Sequence, residues 1–215
     1  MNEVSPAIPA SGEDRHATWL ELFFDLSERL GLFVIIVLGE GVAQVIEAAS
    51  EATWDRRLYG LAGAAFFLLV ALWSLSFRHG YAGVPYLTAR SLPARAALPL
   101  HCFVSGCLAA LAAGLGAATG HLHTLPDSTR WLLCSSLAGY FLLTGIAALR
   151  QPEGGRRWML SVVLPCCALP LLLAGFGGGL GTVALVWLLV AVTLWPMFYE
   201  SRRAERPEAA ARPEA

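Results

Sequence analysis

Six apolar runs, each close to the thickness of a bilayer's hydrocarbon core when helical, leave this chain few folds to adopt. They are Gly31–Ser50, Leu58–Phe77, Ala96–Thr119, Trp131–Leu149, Trp158–Phe176 and Thr182–Tyr199. About 20 apolar residues carry an α-helix across the membrane. Lipid offers no partner to backbone N–H and C=O groups, so runs of this length must satisfy them internally as helices. The expected fold is all-α: a polytopic integral membrane helical bundle of about six transmembrane helices. Composition agrees, because only 14% of the 215 residues are charged and 56% are apolar, whereas soluble domains carry about 25% charged residues.

The arginines orient the bundle. With six spans both termini share one side, where Arg15, Arg29, Arg78, Arg90, Arg95, Arg150, Arg156, Arg157, Arg202, Arg203, Arg206 and Arg212 fall, 12 in all. The opposite side holds 3, namely Arg56, Arg57 and Arg130. Basic loop residues stay on the cytoplasmic side, so the expectation is a multi-pass protein of the bacterial inner membrane with both termini cytoplasmic. A net charge of −1 argues against a nucleic-acid partner, which would need a basic face; the expected partner is the lipid bilayer itself. No basic stretch followed by an apolar run and a cleavage site opens the chain, so no cleaved signal peptide is expected.

Organisation then follows. Residues 1–14 form a flexible tail, 15–199 a single transmembrane domain, and 200–215 an acidic, arginine-containing tail expected to be disordered. Within the domain, Arg15–Leu26 (RHATWLELFFDL) is too short to cross and reads as an interfacial helical lead-in, with Trp19 at headgroup level. Pro165 and Pro170 predict a kinked fifth span, and Gly177–Gly181 a tight turn.

The first span carries the most informative polar group. In ERLGLFVIIVLGEGVAQVIEAAS (Glu28–Ser50), Glu40 lies halfway along the membrane-length run. A charged carboxylate at that depth costs about 2.5 kcal/mol or more if it faces lipid, which predicts a place in a protein interior or wet cavity, or protonation. Gln44 and Glu47 follow at i+4 and i+7 on the same helix face, and Gly39 and Gly41 permit close approach of a neighbour. One reading is a buried acid that meets an ion, a proton or a substrate; the other is a carboxyl group hydrogen-bonded to a neighbouring helix as structural glue.

Other polar groups are weaker candidates. Glu21, Asp25 and Glu28 would line an acidic vestibule, or simply sit solvated at a helix start. His121, His123 and Asp127 offer metal-binding atoms on the outer side, yet metal sites usually need three or four ligands at defined spacing. His101 could exchange protons with Glu40 if their helices abut; as a lone interface histidine it would not. Cys166 and Cys167 read as apolar filling beside Pro165. Zinc-protease and nucleophile-elbow motifs are absent, as are facing aspartates in two spans, so no enzyme, metal or cofactor is expected.

RHATWLELFFDL resembles the opening motif of the bacterial low temperature requirement A family, membrane proteins named for a cold-growth phenotype. ERLGLFVIIVLGEGV resembles a second hallmark of that family, and the spans from LHCFVSGCLAALAAGL to LWPMFYES look like its C-terminal half. The resemblance places Arg15, Glu21 and Asp25 in the first motif and Gly39 and Glu40 in the second. It also implies that several helices normally separate the two motifs, which here nearly adjoin. The opening motif is similar, more distantly, to a signature of six-span potassium channels. Three functional expectations result: a transporter-like, ion- or proton-coupled protein centred on a buried Glu40, with Glu21 and Asp25 at the cytoplasmic mouth; a structural or adaptor subunit that forms a homo-oligomer or pairs with a full-length relative; or an internally deleted remnant.

Overall fold

A computed structural model describes residues 32–50, 52–78, 94–148 and 155–210. The N-terminal tail, the interfacial lead-in and the loop after the second span lie outside these residues. So do Arg15, Glu21 and Asp25.

Every regular element among the described residues is a helix. They are α1 (Leu32–Ser50), α2 (Arg56–Arg78), α3 (Ala94–Thr119), α4 (Asp127–Ala148), α5 (Gly155–Trp158), α6 (Leu164–Phe176) and α7 (Thr182–Ala210). A π-helical turn, Met159–Val163, joins α5 to α6, and a 3-10 turn, Gly177–Gly179, follows α6. Five stretches are long and apolar enough to cross a membrane: Leu32–Ser50, Arg56–Ser76, Pro99–Thr119, Met159–Gly179 and Thr182–Tyr199. The molecule is an all-α membrane bundle. The expected span at 131–149 is the 22-residue α4, which packs between α3 and α6. It is not among those five stretches; its Cys134, Leu137, Tyr140 and Phe141 are buried against the neighbours, while Trp131, Ser135, Leu142 and Ile146 are exposed.

Local chemistry fixes the helix ends. Asp55 caps α2, its Oδ1 accepting the backbone N–H groups of Arg57 (3.0 Å) and Leu58 (2.8 Å). Asp127 in the first turn of α4 complements the helix dipole. In α7 the chain does not leave the helix after Tyr199, as the expected disordered tail required; the helix continues to Ala210. Glu200–Ala210 is built largely of Glu, Arg and Ala, which are strong helix formers.

Packing is by close approach. The core runs through Leu68, Leu72, Val104, Leu108, Leu111, Leu115, Leu133, Leu137, Leu185 and Leu189, all nearly or fully inaccessible. Between α4 and the π turn, a Cβ added at Gly145 would stand 2.6 Å from Val163 Cγ1; only glycine permits that spacing. α2 packs on α7, and α6 on α7. α1 lies at the periphery, with 28% of its residues buried against 50% in α2.

The α6–α7 seam shows how membrane helices accommodate proline. Pro165 has no N–H to give Ser161, four residues before it, and the freed Ser161 carbonyl instead accepts the Trp195 indole N–H of α7 at 3.0 Å. Pro196 of α7 likewise frees the Val192 carbonyl, which accepts the Cys166 thiol of α6 at 3.5 Å. Each helix thus supplies the donor that a proline removed from the other. Cys167 turns the other way, to the Ala138 carbonyl of α4 at 3.4 Å. The two cysteines are therefore weak tethers to two different helices rather than inert filling.

Candidate functional site

α1 meets the bundle along Val34, Leu38, Gly41, Val45 and Ala49, its buried positions, spaced three and four residues apart. Gly41 is the closest point: a Cβ there would lie 2.9 Å from Ala112 Cβ of α3 and 3.5 Å from Leu69 of α2. One turn on, Gln44 rests against Gly116 of α3. The small-residue edge of α3 facing α1 is therefore Ala112–Gly116, whereas Gly120 touches only its own helix.

Glu40 stands one residue before Gly41, about 100° round the helix from that contact line, and is exposed. Gln44 Nε2 donates to Glu40 Oε1 at 3.4 Å, so the acid and amide do form a pair. Glu47 is exposed on the same side. The expectation of a Glu40 buried by neighbouring helices is not met among the described residues. Small side chains and glycine decide which face of α1 packs, and they place the acid beside the contact rather than in it.

The buried polar groups lie elsewhere. Gly41, Leu69 and Ala112 mark one level of α1, α2 and α3, and the contact between Gly114 and Leu133 carries that level to α4. Seven residues along each of the last three, toward the end where α7 finishes, come Ser76, Ser105 and Tyr140, a displacement of about 10 Å. All three are buried, and Ser76 Oγ and Tyr140 OH are 3.3 Å apart. His101, also buried, has Nε2 3.3 Å from Ser105 Oγ and its ring centroid 6.1 Å from that of Phe33 in α1. Thr144 completes the layer by bonding back to the Tyr140 and Phe141 carbonyls. His101 faces α1 at Phe33, two turns from Glu40, so the two do not form a proton-exchanging pair.

At the opposite end, Arg57 donates to His123 Nδ1 at 2.7 Å, joining the start of α2 to the loop before α4. The Thr182 hydroxyl donates to the His121 carbonyl, tying the same loop to α7. Arg130, 6% exposed, donates from Nε to the Ala174 carbonyl at 2.9 Å and pairs with Asp127 at 2.9 Å. It thereby caps the C-terminal turn of α6 with a cation, where the dipole favours one. His123 and Asp127 are each engaged with a different arginine and do not converge on a common centre, and among the described residues no group of three metal-ligating side chains forms.

The sequence model of the bacterial low temperature requirement A (LtrA) protein family matches residues 26–197. The chain belongs to the LtrA family. Neither the curated proteins nor the solved structures contain a match. In this LtrA-family chain the matched stretch includes Glu40, Gln44, Glu47 and the Ser76–Tyr140 layer, and begins at Leu26, the last residue of RHATWLELFFDL. Sequence reasoning named His101 but passed over Tyr140 and Ser76, whose pairing depends on how α2 and α4 meet. It also missed Trp195 with Ser161, although a proline four residues after a carbonyl was the available signal.

Proposed function

We propose that this LtrA-family chain is a transporter-like membrane protein, ion- or proton-coupled, in which Glu40 is the coupling acid and Gln44 its first polar contact. The observation that carries this reading is the Glu40–Gln44 pair on the open side of α1, halfway along a membrane-length helix. A carboxylate there contributes nothing to the packing of the described bundle and is costly toward lipid. An ionisable group inside a membrane span that packs against no neighbour is by default a candidate functional site. The arginine distribution supports both termini on the cytoplasmic side, which would set Glu40 near the bilayer midplane and the Ser76–Tyr140 layer about 10 Å nearer the cytoplasm.

Proteoliposomes loaded with a pH-sensitive dye test this. Wild-type protein is expected to dissipate an imposed proton or cation gradient, and Glu40→Gln to abolish that flux. Wild-type flux in the variant removes Glu40 from the mechanism.

A second reading rests on the shallow seating of α1. A helix with 28% of its residues buried and two exposed acids suits a subunit whose outer face is covered by a second copy or a full-length relative. Co-expression with tagged relatives, followed by cross-linking from Ala43→Cys, would show that contact. A lone monomer with no cross-link would count against it.

A further inference from the structure

Between α6 and α7 the outer surface of the bundle carries an apolar cleft of about 450 Å³, lined by Pro165, Leu169, Leu173, Leu188, Ala191 and Trp195 with Cys166 and Val192 at its floor. That volume is within the range of about 300–1,000 Å³ typical of clefts that hold one organic ligand. Its walls are held in place. The Trp195 ring is fixed by its hydrogen bond to Ser161, and the floor by the Cys166–Val192 contact. Ala191 and Pro165, which lack long flexible side chains, leave the space open. Leu169, Leu188, Ala191 and Trp195 are exposed, so the cleft opens toward the membrane.

One end is charged. Arg202 follows Trp195 by seven residues on the same face of α7, and Arg157 precedes Ser161 by four residues on the face that meets Trp195. Both are exposed, and measured from the Trp195–Ser161 bond Arg157 lies about 6 Å and Arg202 about 10 Å further toward the same end of the bundle, within reach of one headgroup through their long side chains. Apolar walls ending at two arginines match a molecule with a hydrocarbon tail and an anionic head. Basic groups between membrane helices at the cytoplasmic surface recognise such headgroups.

We propose that the α6–α7 cleft is a binding site for one anionic phospholipid, its acyl chain lying between Pro165, Ala191 and Trp195 and its phosphate held by Arg157 and Arg202. A zwitterionic lipid would fill the apolar part without gaining from the arginines.

The full chain, purified in detergent and offered equal amounts of dioleoyl phosphatidylglycerol and dioleoyl phosphatidylcholine, tests this by native mass spectrometry. Wild-type protein is expected to retain one phosphatidylglycerol with a preference of roughly tenfold or more, the size expected of two surface arginines. The Arg157→Gln, Arg202→Gln double variant, changed only at exposed positions, should retain both lipids equally. Ala191→Phe should lower retention of both, and excess glycerol phosphate should displace neither. Equal retention by wild type, a preference that survives in the double variant, unchanged retention in Ala191→Phe, or displacement by glycerol phosphate would each overturn the assignment.

Discussion

The α6–α7 seam and the outer face of α1 treat polar groups in opposite ways. In the seam, two carbonyls freed by Pro165 and Pro196 are each met by a donor from the other helix. On α1, the described hydrogen bond of Glu40 is with Gln44 of its own helix, and the carboxylate faces outward. The seam's polar groups hold the fold together, so they are structural. Among the described residues the α1 acid ties α1 to no second helix, and the proposed function therefore looks to what reaches it from outside them.

The difference can be tested by mutation. Gly41→Leu should have the largest effect on stability, because its side chain begins 2.9 Å from Ala112 Cβ; overpacking of this kind costs about 1–3 kcal/mol. Reversible denaturation in bicelles measures it, and an unchanged midpoint would mean that α1 is not seated on α3. Trp195→Phe should cost about 1 kcal/mol by removing the bond to Ser161. In a Pro165→Ala background the new N–H can serve Ser161 from within its own helix, so the cost of Trp195→Phe should fall by about 0.5 kcal/mol or more. Equal costs in the two backgrounds would break the account of the seam.

Cys166→Ala should cost less, about 0.5 kcal/mol, since a thiol is a weak donor. The smallest change is expected from Glu40→Gln, within about 0.5 kcal/mol of wild type, even as flux is lost. A large destabilisation there would convert Glu40 into a seam-like structural group.

Five of the six expected spans were legible because length and hydropathy impose them, whereas the run at 131–149 forms a helix that is not among the five apolar enough to cross; Glu40 was legible because one charge in an apolar run cannot be overlooked. Its side of the helix was not read correctly. That information lay in Val34, Leu38, Gly41, Val45 and Ala49, whose spacing marks the packed face without any charge to draw notice. The Ser76–Tyr140 pair and the Arg57–His123 contact join residues more than 60 positions apart, and no local pattern encodes such distances. In the seam the acceptors are backbone carbonyls, which a list of side chains does not display. The helical continuation past Tyr199 was masked by its charge, which suggested a solvated tail although Glu, Ala and Arg favour helix.

Carbodiimide labelling tests the central claim most directly. An apolar carbodiimide partitions into the bilayer and reacts with protonated carboxyl groups there. Applied to the protein in vesicles and mapped by peptide mass spectrometry, it should modify Glu40 and stop flux in step with that modification. Unmodified Glu40 in fully reagent-exposed vesicles, or full flux after its complete modification, would contradict the account.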